Sequence, residues 1–221
     1  MEMCVSKFSA RTILPLLTLS AGLVGCASVQ PAPYSGVASA AYMKPSDGKR
    51  IPYLYKAPVN WSEYSKVIIS PVEIYGQPDN QFGKLNQGDR ESLASYMDLQ
   101  FTNALSRRFS LTNAPGAGTL RIKLTLTGAG ASKQVISTLS RFDLAGGLYN
   151  NVQAVRGREG LMTGWVMYTV EVYDASSGQL LQAFEAKQYP NPVNLKATFG
   201  SLAAARTGID KGAKMLVDQL K

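Results

Sequence analysis

Residues 120–127 read Leu-Arg-Ile-Lys-Leu-Thr-Leu-Thr and alternate strictly between apolar and polar side chains. A period of two residues is typical of a β-strand, because successive side chains of a strand point to opposite faces of the sheet. The pattern predicts a half-buried strand with one core face and one solvated face. The core side would carry Leu120, Ile122, Leu124 and Leu126, and the solvated side Arg121, Lys123, Thr125 and Thr127.

An amphipathic helix is predicted upstream, over residues 89–109. Its apolar side chains recur at steps of three and four residues, as one buried helix face requires. They are Leu93, Tyr96, Met97, Phe101, Ala104, Leu105 and Phe109. Before the helix, the β-branched run 65–74 predicts a buried strand that Pro71 bends or ends. Strand, helix and strand at this spacing favour a right-handed βαβ crossover with parallel strands.

Two further strands are predicted downstream, over 164–173 and 180–188, joined by the turn sequence Asp-Ala-Ser-Ser-Gly at 174–178. A terminal helix is predicted over 199–220. Gly208 and Gly212 lie one turn apart in it and each costs about 1 kcal/mol against alanine, so the helix is predicted to approach the sheet closely there. The predicted fold class is α+β: a single domain whose mixed sheet of about four strands is packed by two amphipathic helices.

The N-terminus reads as a secretory leader. Lys7 and Arg11 precede the apolar run 13–24, which is too short to span a bilayer as a helix. The run closes with Leu23-Val24-Gly25-Cys26, which resembles the lipobox of bacterial lipoproteins. The resemblance implies a signal peptide over 1–25 and a diacylglycerol on the thiol of Cys26. The alternative is a conventional secreted protein in which Cys26 has no such role.

The residues after Cys26 predict where the protein resides and how it is tethered. In enteric bacteria an Asp after the lipidated cysteine retains a lipoprotein in the inner membrane, so Ala27 implies an outer-membrane location, with the protein facing the periplasm. Residues 26–41 are rich in Ala, Ser, Pro and Gly without any charge, which predicts a flexible tether. The folded domain is then expected over 42–221.

Residues 42–64 contain five aromatic side chains among prolines and lysines: Tyr42, Tyr53, Tyr55, Trp61 and Tyr64. One interpretation is an extended segment whose rings pack on the domain. The other is an aromatic surface for the membrane interface or a partner.

Composition restricts the chemistry. The chain has no histidine, and Cys26 would remain as the single cysteine after processing, which excludes histidine triads, histidine-ligated metals and thiol catalysis. The net charge of +8 comes from scattered basic residues, which suits anionic lipid or cell-wall polymer better than nucleic acid. We therefore expect a non-enzymatic structural or binding protein without metal or cofactor. The alternative is a carboxylate-dependent hydrolase acting on cell-wall or lipid substrates, although a turn role is favoured for Asp174 beside Glu171.

Residues 141–160 have the weakest secondary-structure pattern of the mature chain. Long loops in compact domains are commonly functional, and Tyr and Arg are enriched in binding hot spots. Tyr149, Arg156 and Arg158 are thus predicted to contact an envelope protein partner. The competing interpretation is that this segment merely covers the sheet.

The order of these elements behind a lipobox resembles a family of Gram-negative lipoproteins catalogued only as a domain of unknown function. The residues that carry the resemblance are Pro52-Tyr53 leading to Trp61 and Tyr64, the strand from Lys66 to Pro71, and Glu171 to Gly178. The resemblance would cover most of the mature chain, and it implies no catalytic residue.

Overall fold

The structure is a computed structural model that describes residues 34–131, 164–191 and 202–221, together with Val152. Eight strands form one sheet: β1 (Lys44–Gly48), β2 (Ile51–Lys56), β3 (Lys66–Ile69), β4 (Glu73–Ile74), β5 (Ser110–Leu111), β6 (Thr119–Gly130), β7 (Trp165–Asp174) and β8 (Leu180–Gln188). Among the described residues, two α-helices accompany it, α1 (Gln87–Leu105) and α2 (Ala203–Gln219). An α+β fold with a single mixed sheet is thereby confirmed.

The sheet has the order β1-β2-β8-β7-β6-β3-β5, and β4 also pairs with β6. From β1 through β2, β8 and β7 to β6, each strand is antiparallel to the next. On the other side of β6, β3 and β4 run parallel to it, and β5 runs parallel to β3. The chain passes from β3 through α1 to β6, so the predicted parallel crossover is present. Pro71 lies between β3 and β4 and ends the first of them, as expected of a residue without an amide hydrogen.

One face of the sheet packs against both helices and forms the main core. Alternate residues of β6 from Leu120 to Leu126 and of β7 from Val166 to Val172 point to this face, and the stripe predicted for α1 is buried or half-buried against it. A bulge between Leu126 and Gly128 shifts the pattern, so that Ala129 is the next core residue of β6. The ring of Phe101 meets the ring of Tyr168 edge-on, with 5.6 Å between centroids. The fully buried members include Leu93, Met97, Leu105, Leu120, Ile122, Leu126, Val166, Val170, Phe184, Ile209 and Leu216.

Helix α2 lies close to the sheet at its two glycines, as predicted. A Cβ added to Gly212 would clash with the hydroxyl of Tyr168, and one added to Gly208 would lie 2.8 Å from Cγ1 of Val166. The missing side chains thus allow a separation that alanine would not.

The predicted number of about four strands is wrong, because the sheet has eight. Strands β1 and β2 form a hairpin at one edge and contain Pro45 and Pro52, residues that weaken a strand pattern. Strands β4 and β5 have two residues each, too few to show a period. The aromatic segment 42–64 consists mainly of β1 and β2 and contains one 3₁₀ turn at Trp61–Glu63. Most of its rings are half-buried, in agreement with the first of its two interpretations.

The second face of the sheet is also covered, and this corrects both the solvated face predicted for β6 and the predicted end of the tether at residue 41. Residues 34–43, the N-terminal strap, lie across this face with Tyr34, Val37 and Met43 buried. Beneath the strap, Thr125 and Thr127 are buried, whereas Arg121 and Lys123 stay half-buried.

Small residues let the strap coil tightly. Three successive turns form where the amides of Val37, Ala40 and Tyr42 bond the carbonyls three residues before them. A Cβ on Gly36 would lie 2.9 Å from the Tyr75 ring. Over residues 34–41, the composition that predicted a flexible tether therefore allows close packing instead.

Neither of the described helices has the length and apolarity to cross a bilayer.

Candidate functional site

The site residues predicted from the sequence lie outside the described part of the chain. Cys26 precedes Tyr34, the first described residue, and Tyr149, Arg156 and Arg158 fall between Ser132 and Thr163. The lipid attachment and the partner contact therefore stay predictions.

A buried carboxyl lies under the strap, where β6, β7 and β8 run side by side. Because Thr169 is opposite Glu185 in the β7–β8 register, the Thr169 hydroxyl donates to Oε2 of Glu185 at 2.7 Å. The hydroxyl of Thr127 donates to Oε1 at 3.3 Å. Burial raises the pKa of Glu185 to about 8, and the two hydrogen bonds counteract only part of that rise.

A second carboxylate fastens the strap to the sheet. Oε1 of Glu171 accepts the amide of Ser39 at 2.9 Å and the hydroxyl of Tyr173 at 3.1 Å. Glu171 is only 3% exposed. Burial and the neighbouring Glu171 raise the pKa of the Tyr173 hydroxyl. These contacts give Glu171 a structural role in holding the strap.

The N-terminal end of the strap is held by a small apolar cluster, separate from the main core, that consists of Tyr34, Val37 and Tyr75. The Tyr34 and Tyr75 rings lie 5.0 Å apart between centroids, and the Tyr75 hydroxyl accepts the Gly36 amide at 3.2 Å. The Tyr34 hydroxyl reaches the sulfur of Met167 at 3.6 Å. Burial is the main reason why the pKa of Tyr34 is raised.

An open cleft of about 250 Å³ lies between the strap and the sheet. Its charged lining residues are Glu73, Lys123 and Glu171, and residues 36–38 of the strap also line it. Lys123 and Glu171 are opposite each other in the β6–β7 register. The cleft could receive a small polar group by hydrogen bonding and by charge of either sign, whereas Glu185 does not line it.

The structure separates Glu171 from Asp174, two carboxylates that are close in the sequence. Asp174 caps the β7–β8 turn: its Oδ1 accepts the amides of Ser176 at 2.9 Å and Ser177 at 2.8 Å, and its Oδ2 accepts the Tyr64 hydroxyl at 3.0 Å. Hydrogen bonds from these serines hold the pKa of Asp174 well below its usual range. The predicted turn role of Asp174 is confirmed.

Sequence reasoning missed Glu185, Thr127 and Thr169 as a cluster. Their separation along the chain leaves no local pattern, and polar residues that alternate with apolar ones in a strand ordinarily indicate a solvated face. Within the described ranges, no three Cys, Asp or Glu side chains come together in a way that could hold a metal ion.

Residues 33–216 match the family model described as "Protein of unknown function (DUF3313)". The chain belongs to this family. The expectation of a family of unknown function is thereby confirmed, while its lipoprotein aspect stays a prediction. A search of curated proteins finds no match.

Several solved structures are distantly similar to this DUF3313 chain. The PelC dodecamer from Paraburkholderia phytofirmans is 12% identical, with a TM-score of 0.38, over 73% of this chain and 94% of that one. A DUF330 protein from Xanthomonas campestris is 9% identical, with a TM-score of 0.36, over 73% and 86%. A DUF4136 protein from Bacteroides thetaiotaomicron is 9% identical, with a TM-score of 0.36, over 79% and 98%. At such TM-scores, these likenesses carry no argument about function.

Proposed function

We propose that this DUF3313 chain is a lipoprotein of the outer membrane that faces the periplasm and acts as a non-enzymatic structural or binding protein. The observation that carries the proposal is the sequence Leu23-Val24-Gly25-Cys26 behind a basic start and an apolar run. Two or more acyl chains on Cys26 would hold the protein stably, whereas one chain gives marginal binding.

The roles of the buried carboxylates support the non-enzymatic part of the proposal. Glu171 uses Oε1 to hold the strap through the Ser39 amide. Glu185 has both oxygens bonded to threonine hydroxyls and is 0% exposed. A general acid has to reach its substrate directly or through one water, and Glu185 is closed off under the strap.

The alternative is a hydrolase, and one observation favours it. A carboxyl with a pKa of about 8 stays protonated near neutral pH, as a general acid of a glycosidase does. Such an enzyme also needs a second carboxylate beside the same substrate. The cleft presents Glu171 and Glu73, so hydrolysis would require the strap to move and expose Glu185. Loss of hydrolysis of cell-wall or lipid substrates in Glu185→Gln, with the fold retained, would support this alternative.

Metabolic labelling tests the anchor. Cells that express the protein are grown with a clickable palmitate analogue, and wild type is compared with Cys26→Ala. We expect label and membrane association in the wild type and loss of both in Cys26→Ala.

Cys4→Ala is the matched control, because Cys4 lies in the leader and would be removed with it. It should label as the wild type does. Equal labelling of Cys26→Ala and wild type would refute the proposal.

The partner contact is tested separately by crosslinking in intact envelopes. Residues 148–158, which include Tyr149, Arg156 and Arg158, are replaced by a Gly-Ser link, and the domain is checked for folding. We expect crosslinked partners to be lost. Unchanged crosslinks would move the binding surface elsewhere, first to the aromatic segment 42–64.

A further inference from the structure

Packing of the strap shortens the tether between the membrane and the domain. A tether that ran to residue 41 would have 15 residue steps after Cys26 and a reach of about 50 Å when extended. Because Tyr34 is only 2% exposed and packs on the sheet, eight steps remain. Their extended reach is about 26–29 Å. As a coil they would span about 16 Å.

The strap enters at one end of the sheet. Tyr34 contacts Met167, which pairs with Gly128 near the end of β6 and with Lys187 near the end of β8. Further along the strap, the Ser39 amide bonds Glu171, nearer the other end of β7. The strap therefore runs along the sheet from the end at Gly130, Trp165 and Gln188 towards the end at the β7–β8 turn.

We propose that the domain presents the end of the sheet at Gly130, Trp165 and Gln188, here the anchor end, to the lipid surface and holds the β7–β8 turn away from it. This inference rests on the proposed lipidation of Cys26. Tyr34 packs at Met167, which is two residue steps from Trp165 at the anchor end and seven steps, about 23 Å, from Asp174 at the β7–β8 turn. The coil span of about 16 Å is shorter than that distance. The attachment point, and with it the anchor end, therefore stays closer to the bilayer than the β7–β8 turn.

The side chains at the anchor end suit a lipid headgroup region. The β1–β2 turn carries the basic Lys49 after the acidic Asp47. The next residue, Arg50, donates from its guanidinium to Gln188 Oε1 and the Tyr189 carbonyl, and its own carbonyl accepts the Lys187 amide at 3.1 Å, which fixes this turn at the end of β8. Lys49 is exposed, whereas Lys187 is buried, with its ammonium 5.2 Å from the ring centroid of the half-buried Trp165. Indole rings with basic side chains are typical of membrane interfaces. At the β7–β8 turn, by contrast, residues 174–179 carry one charge, that of Asp174.

Site-directed fluorescence quenching tests the orientation. Asp47→Cys at the anchor end and Gln179→Cys at the β7–β8 turn place one label each on an exposed residue. The lipidated full-length proteins are purified from membranes, labelled with a maleimide fluorophore, and reconstituted into phosphatidylethanolamine–phosphatidylglycerol vesicles containing nitroxide-headgroup lipid. We expect quenching several-fold stronger at residue 47 than at residue 179.

A matched variant tests whether the short tether causes this orientation. Tyr34→Ala combined with Val37→Ala removes two of the three side chains in the cluster that holds the strap, so the tether lengthens and the difference between the two labels should shrink. A Gly-Ser insertion after Gln30 should have the same effect while the strap stays packed.

The outcomes separate this inference from the proposed function. If the protein does not float with vesicles and Cys26 itself takes the maleimide, lipidation is refuted, and the orientation falls with it. If the protein floats and both labels are quenched equally, or residue 179 more strongly, the anchor stands and the orientation is wrong.

Discussion

The two faces of the sheet come from the same strands but carry different kinds of side chain. Val170 and Glu171 are neighbours in β7, yet Val170 points into the helix-covered core while Glu171 bonds the strap. The helix-covered face is largely apolar, apart from residues such as the buried Gln182, which donates to Gln219 of α2, whereas the strap-covered face holds threonines, tyrosines and two glutamates. Burial of apolar area dominates folding stability, and buried polar groups add specific contacts and titration. Stability should therefore depend on the first face, and pH dependence on the second.

The largest expected effect is on the helix-covered face. Phe101 is 0% exposed and packs edge-on against Tyr168, so Phe101→Ala should lower the free energy of unfolding by about 3–5 kcal/mol. Urea unfolding of a soluble form lacking residues 1–26 measures it. Leu99→Ala on the same helix is the control, because Leu99 is 54% exposed and should change little. Equal effects of the two substitutions would mean that the helix face has been misassigned.

The next effect is on the strap-covered face. Between the usual pKa of 4.5 and the folded value of about 8, the Glu185 carboxyl is ionised in the unfolded chain and protonated in the folded one. The unfolded state then binds fewer protons, so stability falls as pH rises through this window, by at most about 1.4 kcal/mol per pH unit. Glu185→Gln should flatten that decline and be more stable than wild type at pH 8.

Urea unfolding at pH 5, 6, 7 and 8 measures the difference in slope. Glu91→Gln, on the exposed side of α1, is the control and should keep the wild-type slope. If stability falls with pH equally in Glu185→Gln and wild type, Glu185 ionises in the folded protein without cost. The strap-covered face would then not be the source of the pH dependence.

The smallest expected effect concerns how the strap is held. Ser39 bonds Glu171 through its backbone amide, while its buried hydroxyl has no hydrogen-bond partner among the described residues. Ser39→Ala keeps the amide and removes an unsatisfied group, so stability should be unchanged or raised by about 1 kcal/mol. Thermal unfolding would detect either result. A loss of more than about 1 kcal/mol would assign the hydroxyl a role that its contacts do not show.

The contrast between the faces also explains how far the sequence predicts the fold. The helix-covered face produces periodic apolar patterns in the sequence. The stripe through Phe101 and the alternation from Leu120 to Leu126 therefore predicted its core side chains correctly. The strap-covered face leaves none, because its contacts join residues far apart, such as Ser39 and Glu171. The composition of residues 34–41 resembles that of a tether. That these residues pack becomes visible only when the sheet face beneath them is known. Glu185 was missed for the same reason.

The distance along the chain between the strap and its partners has a consequence for the order of folding. Tyr34 contacts Met167, which lies 133 residues later in the chain, and Ser39 bonds Glu171, which lies 132 residues later. Strand β2 likewise needs β8. A chain that emerges N-terminus first, from a ribosome or a membrane channel, therefore exposes these residues until most of its length has emerged. Long-range pairing of this kind is slow. Under the proposed lipidation of Cys26, the thiol would be modified before the strap has its partners, and closure of the strap would then shorten the tether.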